Sequence, residues 1–140
     1  MNKLQYILTG TSLFLIGCGI YAVFRQNVIF LQKFQHSIIL QQIKIDVPYD
    51  GSFFKYFFLF ILPDMLWYSA LLLIMIGLHQ AGSYISRITL LIAVVSPFVF
   101  EVLQYYHCIA GTFDILDVLA YLLILLNLLL CIKKRLKSFW

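Results

Sequence analysis

Four carboxylates stand inside long apolar runs or at their ends, where a charged side chain is costly. They are Asp64, Glu101, Asp114 and Asp117, out of six acidic residues in a chain of 140. A carboxylate at the centre of a membrane helix costs about 2.5–3.5 kcal/mol on insertion scales, so it normally faces a bundle interior or a wet cavity. Acids in that setting bind a cation or an amine, or carry a proton. We therefore predict that these four residues bind a ligand.

Glu101 is the strongest of these candidates because it lies inside an apolar run and is aligned with other polar residues on one helix face. Pro97, Glu101, Gln104 and Cys108 follow one another at spacings of 4, 3 and 4 residues, which places them on one face of a helix. Glu101 and Gln104 are therefore predicted to contact the same ligand. The alternative is a structural hydrogen bond from Glu101 to Gln104 or to a neighbouring helix.

The other three acids also have a simpler interpretation as residues at helix starts. An Asp at the N-cap, with a second acid three residues later, accepts backbone N–H bonds and opposes the helix dipole. Asp114 and Asp117 fit that pattern, and Asp64 follows Pro63, a residue that suits a first helical turn. Capping is the favoured interpretation for Asp114, whereas capping and binding both stay open for Asp117.

Three further residues are predicted to support the acidic site. Tyr68 and Tyr121 stand four residues after Asp64 and Asp117, so each phenol lies one helical turn from a carboxylate. His107 is expected to mark a helix boundary, and a role as ligand or proton carrier is the alternative.

Several kinds of chemistry lack a sequence motif. The chain has no glycine-rich phosphate loop, no His-Glu-x-x-His, no Cys-x-x-Cys and no Gly-x-Ser-x-Gly. We therefore assign no catalytic residue and no cofactor, and we disfavour an enzyme. The three cysteines, Cys18, Cys108 and Cys131, are too scattered for a disulfide framework. Histidines and acids together could hold a cation, but their spacing identifies no metal.

The composition indicates where these residues must lie. The chain is 63% hydrophobic and 11% charged, with a mean hydropathy of +0.95, whereas soluble domains are about 45–50% apolar and about 25% charged. A water-soluble monomer is thereby excluded. We predict a single all-α domain over residues 1–140, a bundle of four transmembrane helices followed by a basic cytoplasmic tail at 133–140. The predicted helices cover residues 4–24, 63–79, 87–106 and 114–132.

The connection between the first two helices is predicted to lie at the outer membrane surface. It consists of a loop at 25–52 and an aromatic interfacial segment at 53–62, because Pro63 suits the start of the second helix. A single helix kinked at Pro63 is the alternative. Within the loop, apolar residues at helical spacing predict a helix lying in the interface. These residues are Phe30, Leu31, Phe34 and Ile38.

The first apolar run has two competing interpretations. Lys3 followed by apolar residues is typical of a signal peptide, and Leu15-Ile16-Gly17-Cys18 is similar to a lipoprotein cleavage box. The run nevertheless continues to Phe24 and reaches spanning length, so we expect an uncleaved helix with Cys18 in its core. Gly10 and Gly17, seven residues apart, are predicted to allow close helix packing.

The distribution of basic residues predicts the orientation. Lys133, Lys134, Arg135 and Lys137 follow the last apolar run, which places the C-terminus in the cytoplasm. With four spans the N-terminus lies on the same side, and the four membrane carboxylates collect at the outer face. Basic residues bunched beside an apolar run indicate topology rather than nucleic-acid binding.

The polar residues of the last two helices resemble a known pattern. Glu101-Val-Leu-Gln104, followed by Gly111-Thr-Phe-Asp-Ile-Leu-Asp-Val-Leu-Ala-Tyr121, resembles the VanZ-like family of small bacterial membrane proteins. Members of that family commonly show an acid and a Gln three residues apart, then Arg-x-Phe-Asp-x-x-Asp-x-x-x-Asn. Leu62-Pro-Asp-Met-Leu-Trp67 is similar to an Asp-bearing helix start in some members.

This resemblance covers the chain from Leu62 onward and implies a shared set of polar positions. Those positions are Glu101, Gln104, Asp114, Asp117 and Asp64. Two residues depart from the pattern, because Gly111 stands in place of the usual Arg and Tyr121 in place of a frequent Asn. The missing Arg argues against transferring the glycopeptide-antibiotic resistance linked to the founding member of the family.

Together these features predict a multi-pass protein of the bacterial cytoplasmic (inner) membrane with both termini in the cytoplasm. Its outward-facing acidic pocket would bind a cation, an amine, or a lipid or envelope-precursor head group, without catalysis. The expected partner is the lipid bilayer, with a second copy or other membrane proteins left open and nucleic acid excluded. A small proton- or cation-coupled transporter and a membrane subunit of a larger complex are the alternatives.

Overall fold

Four helices account for nearly all of the chain that the structure describes. This structure, a computed structural model, describes residues 2–24, 51–79 and 84–137, and only the backbone of 131–137. The helices are α1 (Lys3–Phe24), α2 (Phe53–Leu78), α3 (Tyr84–Tyr105) and α4 (Ile115–Lys137). Within these ranges no strand occurs, so the all-α prediction is confirmed there. The interfacial helix predicted around Phe34 lies outside the described residues.

Helix length and composition agree with three of the four predicted spans. α1, α2 and α3 have 22, 26 and 22 residues and are each apolar enough to cross a membrane. α4 has an apolar stretch at Ile115–Leu130 and then stays helical as far as Lys137, beyond the expected end at 132. Its basic end contains no Gly or Pro that would break a helix, and Lys, Arg and Leu are good helix formers.

The start of α2 differs from the expected position near Pro63, because helical backbone begins at Phe53. The structure therefore has the alternative arrangement, one helix that passes through the proline. Proline lacks an N–H, and its ring crowds the carbonyl four residues earlier. Directly before it, Phe57–Ile61 form a π-helical turn in which the Leu62 N–H bonds to the Phe57 carbonyl. This wider turn makes room for the proline ring.

In the first compact unit, Met1–Gly77, the described residues are mainly those of α1 packed against α2. Glycines on α1 allow the close approach. A Cβ built at Gly10 would lie 2.9 Å from the Ala70 carbonyl oxygen, and one at Gly17 would lie 2.5 Å from Trp67 Nε1. The predicted packing role of Gly10 and Gly17 is thus confirmed. Because contacts on α2 move backward as those on α1 move forward, the two helices are antiparallel.

This register leaves the start of α2 beyond the end of α1. Tyr21 of α1 contacts Asp64 of α2, and α1 ends at Phe24. At 1.5 Å per residue, α2 extends roughly 16 Å upstream of Asp64, whereas α1 extends only about 4–5 Å past Tyr21. The aromatic segment Phe53–Phe60 therefore continues past the α1 terminus.

The second compact unit, Leu78–Trp140, contains α3, α4 and the connection at 106–114. Phe98 of α3 and Tyr121 of α4 meet edge to face, with ring centroids 5.9 Å apart. Tyr121 and its neighbour Ala120 are buried. The hairpin of α3 and α4 positions most of the predicted site residues.

Candidate functional site

Among the described residues, Glu101 has the one charged side chain that is buried. Only 5% of it is exposed, and no other charged or polar residue in the described ranges is classed as buried. It lies on α3 one turn before the helix ends at Tyr105. A buried carboxylate needs hydrogen-bond donors or a cation to offset its desolvation.

One such donor comes from the start of the next helix. Glu101 Oε2 accepts the backbone N–H of Asp114 at 3.2 Å, and Asp114 Oδ1 accepts the N–H of Leu116 at 2.8 Å. Asp114 is therefore the N-cap of α4, as favoured by the sequence. In a capping box the N-cap N–H is bound by a side chain three residues on; here a carboxylate from the preceding helix accepts it. Glu101 thus lies at the positive end of the α4 dipole.

Asp117 adds a third carboxylate to this end of the hairpin. It lies in the first turn of α4, half-buried, with its Oδ1 atom shielded from solvent. Glu101 and Asp114 are joined by a hydrogen bond, and Asp117 follows Asp114 by one turn of the same helix. Three of the four predicted acids therefore belong to the junction between α3 and α4.

Gln104 packs against the connecting loop at Gly111. A Cβ built on Gly111 would lie 2.6 Å from Gln104 Nε2, and the Gly111 φ of 138° lies in a region that other residues rarely adopt. This geometry favours glycine at position 111, because a side chain there would meet Gln104. Gln104 is half-buried, and its amide faces the loop that leads to Asp114.

The end of α3 at His107 forms a Schellman motif. The His107 N–H bonds to the Gln104 carbonyl at 2.9 Å, and the Cys108 N–H bonds to the Leu103 carbonyl at 2.8 Å. His107 itself adopts φ 56°, in the left-handed region. The position agrees with the predicted helix boundary, and the exposed imidazole lies at the junction. Its role as ligand or proton carrier stays a prediction.

Three exposed aromatic residues at the same junction were not among the predicted site residues. The Tyr105 ring meets the Phe113 ring at 5.4 Å and 77°, and the Tyr106 ring at 5.2 Å and 84°. The exposed fractions are 60% for Tyr105, 69% for Tyr106 and 41% for Phe113. The pair Tyr105-Tyr106 is visible in the sequence, but the contact with Phe113 depends on how the loop folds back.

Asp64 takes part in a separate polar contact within the first unit. The Tyr21 hydroxyl donates to Asp64 Oδ1 at 2.9 Å, and its ring stacks on Trp67 at 4.5 Å. Helical residues precede Asp64 from Phe53 onward, so capping does not account for it. Tyr68, one turn later, is buried. Whether Asp64 belongs with the acids of α3 and α4 stays a prediction.

The carboxylate oxygens at the junction suit a positively charged ligand. Among the described residues, no group of three or more His, Cys, Asp or Glu side chains is arranged to hold a metal ion. Carboxylates that lie near one another attract an ammonium group through its positive charge, whether or not that group also donates hydrogen bonds.

Comparison with models of protein families, with curated proteins and with solved structures found no match for this chain. The VanZ-like resemblance therefore stays a prediction that rests on the residues quoted for it.

Proposed function

We propose that this chain is a VanZ-like integral protein of the bacterial cytoplasmic membrane that binds a cationic ligand at its outer face without changing it chemically. The ligand would be an amine, or an amine-bearing head group of a lipid or envelope precursor. The observation that carries this proposal is the buried carboxylate of Glu101 at the amino end of α4. Asp114, Asp117 and Gln104 would complete the site, with Tyr121 and His107 as further candidates.

Exposed apolar side chains support the membrane setting. Leu91 on α3 is more than half exposed, as are Leu123 and Leu129 on α4. Burying apolar surface away from water is worth about 25 cal/mol per Å², so these faces would be poorly soluble. Hydrocarbon solvates them without cost, which makes the lipid bilayer the expected partner. The basic end of α4 would lie in the cytoplasm under the positive-inside rule.

The proposed orientation can be tested with the exposed cysteine of the α3–α4 connection. In a Cys18→Ser, Cys131→Ser background, Cys108 should react with a membrane-impermeant maleimide added to intact cells. The matched control carries Tyr84→Cys with Cys108→Ser, because Tyr84 is exposed at the opposite end of α3. That control should react only after the membrane is opened. The reverse pattern would invert the topology.

The hydrogen bond made by the Asn127 side chain favours a binding role over transport. Transport needs a polar route toward the inner face, and Asn127 is the polar residue that α4 offers there. Its amide donates to the Leu123 carbonyl of the same helix at 2.8 Å. The Asn127 amide is therefore hydrogen-bonded within its own helix, as polar residues in membrane helices commonly are, rather than forming part of a polar route.

Binding can be measured by titrating the purified protein, in maltoside detergent, with ethanolamine and with Mg²⁺. We expect Glu101→Gln to weaken ethanolamine binding about 10- to 100-fold, because one charge-assisted hydrogen bond is lost. Asp50→Asn removes the same charge from the long loop predicted on the same side of the membrane, outside the described residues, and should leave affinity within about twofold. Failure of the wild-type protein to bind any ammonium compound, or equal binding by Glu101→Gln, would contradict the proposed function.

A further inference from the structure

We propose that the ligand of this site carries a quaternary ammonium group, held in an aromatic corner made by Tyr105, Tyr106 and Phe113. This inference rests on the proposed function and specifies the chemical class of its ligand. Such a group occurs in choline, in choline-bearing lipid head groups and in other methylated amines.

The three rings have the geometry of a corner rather than of a packed core. Tyr105 stands nearly perpendicular to both of its neighbours, at 77° to Phe113 and 84° to Tyr106. All three side chains are exposed, so their surfaces remain accessible. A cation placed against such walls is attracted by the electron-rich ring faces within about 6 Å of the centroids, and cages of this kind bind quaternary ammonium ligands.

Helix spacing, one ring contact and one hydrogen bond connect the corner to the buried carboxylate. Glu101 and Tyr105 are four residues apart on α3 and so lie on one face, one turn from each other. Tyr105 contacts Phe113, which precedes Asp114 in the chain, and the N–H of Asp114 returns to Glu101. Tyr105 therefore lies one helical turn from Glu101, and Phe113 is adjacent in the chain to the N-cap that Glu101 binds.

The charges of the hairpin complement a ligand without hydrogen-bond donors. Between Arg87 and Lys133 the chain has three carboxylates and no Lys or Arg. A quaternary ammonium group cannot donate a hydrogen bond, but it has a diffuse positive charge and an apolar methyl surface. The diffuse positive charge is attracted by the carboxylates, and the methyl surface suits contact with aromatic rings.

Tyrosines at the end of a membrane helix also occur as anchors in the head-group region. That alternative predicts equal behaviour for tyrosines at both ends of α3. Tyr84 opens the helix and is 75% exposed, with no acid among the residues described beside it, whereas Tyr105 closes the helix and is 60% exposed. The two positions therefore form a matched pair in one helix.

The test compares choline, tetramethylammonium and ethanolamine as ligands of the full chain in a maltoside detergent, which has no choline head group. Wild-type protein should bind the two quaternary compounds about 5- to 30-fold more tightly than ethanolamine. Tyr105→Leu and Phe113→Leu should abolish this preference, whereas Tyr105→Phe, which keeps the ring, and Tyr84→Leu should retain it. Tyr105→Phe and Phe113→Leu decide the question if Tyr105→Leu fails to fold.

Two sources of the group are separated by repeating the measurement in lipid nanodiscs. Stabilisation by phosphatidylcholine over phosphatidylethanolamine indicates a lipid head group, and displacement by free choline indicates a soluble ligand; either result supports the proposal. A preference for ethanolamine, or an equal loss in Tyr84→Leu and Tyr105→Leu, would overturn it. If ammonium compounds bind and depend on Glu101 while the rings make no difference, this inference fails but the proposed function stands. If no ammonium compound binds, both fail.

Discussion

The Glu101 carboxylate accepts the backbone N–H of Asp114 at 3.2 Å and so joins the end of α3 to the N-cap of α4. One buried side chain therefore both caps a helix from outside and supplies the negative charge of the proposed site. These two tasks make different demands on the residue. The hydrogen bond needs an acceptor oxygen at this position, whereas ligand binding needs a full charge.

Substitutions at Glu101 should separate these tasks. Glu101→Gln keeps an acceptor for the Asp114 N–H and should lower the free energy of unfolding by at most about 1 kcal/mol. Glu101→Ala removes the acceptor of that N–H and leaves a cavity at a buried position, so it should lower the free energy of unfolding by about 2–4 kcal/mol. Denaturant unfolding in detergent measures both. Equal stability of Glu101→Ala and wild type would show that the contact does not support the hairpin.

The N-cap at Asp114 gives a second stability prediction. Asp114→Ala removes the acceptor for the Leu116 N–H and should cost about 0.5–2 kcal/mol, whereas Asp114→Ser retains a capping oxygen and should cost much less. Thermal unfolding of the two variants side by side tests this. A loss of the same size in Asp114→Ser would mean that the negative charge, rather than the cap, stabilises the helix start.

Tyr21 is predicted to stabilise the first unit through Asp64. Tyr21→Phe removes a hydroxyl that donates to a carboxylate at 2.9 Å in a side chain that is 6% exposed. We expect a loss of about 1.5–3 kcal/mol, the usual value for a hydrogen bond to a charged group. Tyr84→Phe, the same change at an exposed position, should leave the unfolding transition unmoved. Similar losses in both variants would rule out a specific contact.

Two glycines of α1 provide a matched test of helix packing. Gly10→Ala places a methyl group 2.9 Å from the Ala70 carbonyl oxygen, and the resulting overpacking should cost about 1–3 kcal/mol. Gly19 has nothing within 4 Å of a built Cβ, so Gly19→Ala should be neutral or stabilise by up to about 1 kcal/mol. Unfolding measurements that rank these two variants the other way would contradict the observed register.

The α3–α4 connection should respond to backbone substitutions with opposite signs. Gly111→Ala forces a side chain into φ 138° and against Gln104, and we expect a loss of about 1–3 kcal/mol. His107→Gly relieves a left-handed residue at φ 56° and should gain about 1 kcal/mol. Both changes are read from the midpoint of thermal unfolding. A gain in Gly111→Ala would show that the loop adopts another conformation.

Helix positions followed from the sequence because they depend on local properties. The apolar run at 4–24 predicts α1 to within one residue of its start, and the last two helices begin within three residues of the expected positions. The capping role of Asp114 could also be predicted from the sequence, because an N-cap and its N–H partner are near neighbours in the chain. The start of α2 could not be predicted, since the π-helical turn that precedes Pro63 has no recognised sequence signal.

What the sequence alone determined is a highly apolar chain that forms helices over the described residues, with Asp114 and Asp117 at a helix start, since length, charge and periodicity are properties of single segments. The tertiary structure decided which side chains meet. Tyr21 and Asp64 are 43 residues apart and Glu101 and Asp114 are 13 apart, and the conformation of a loop or the register of two packed helices sets each pairing. The sequence indicates that Gly10 allows a close approach, but no local pattern specifies that its neighbours on α2 are Ala70 and Ile74. Tyr105 and Phe113 meet for the same reason, because the loop at Gly111 folds back onto Gln104.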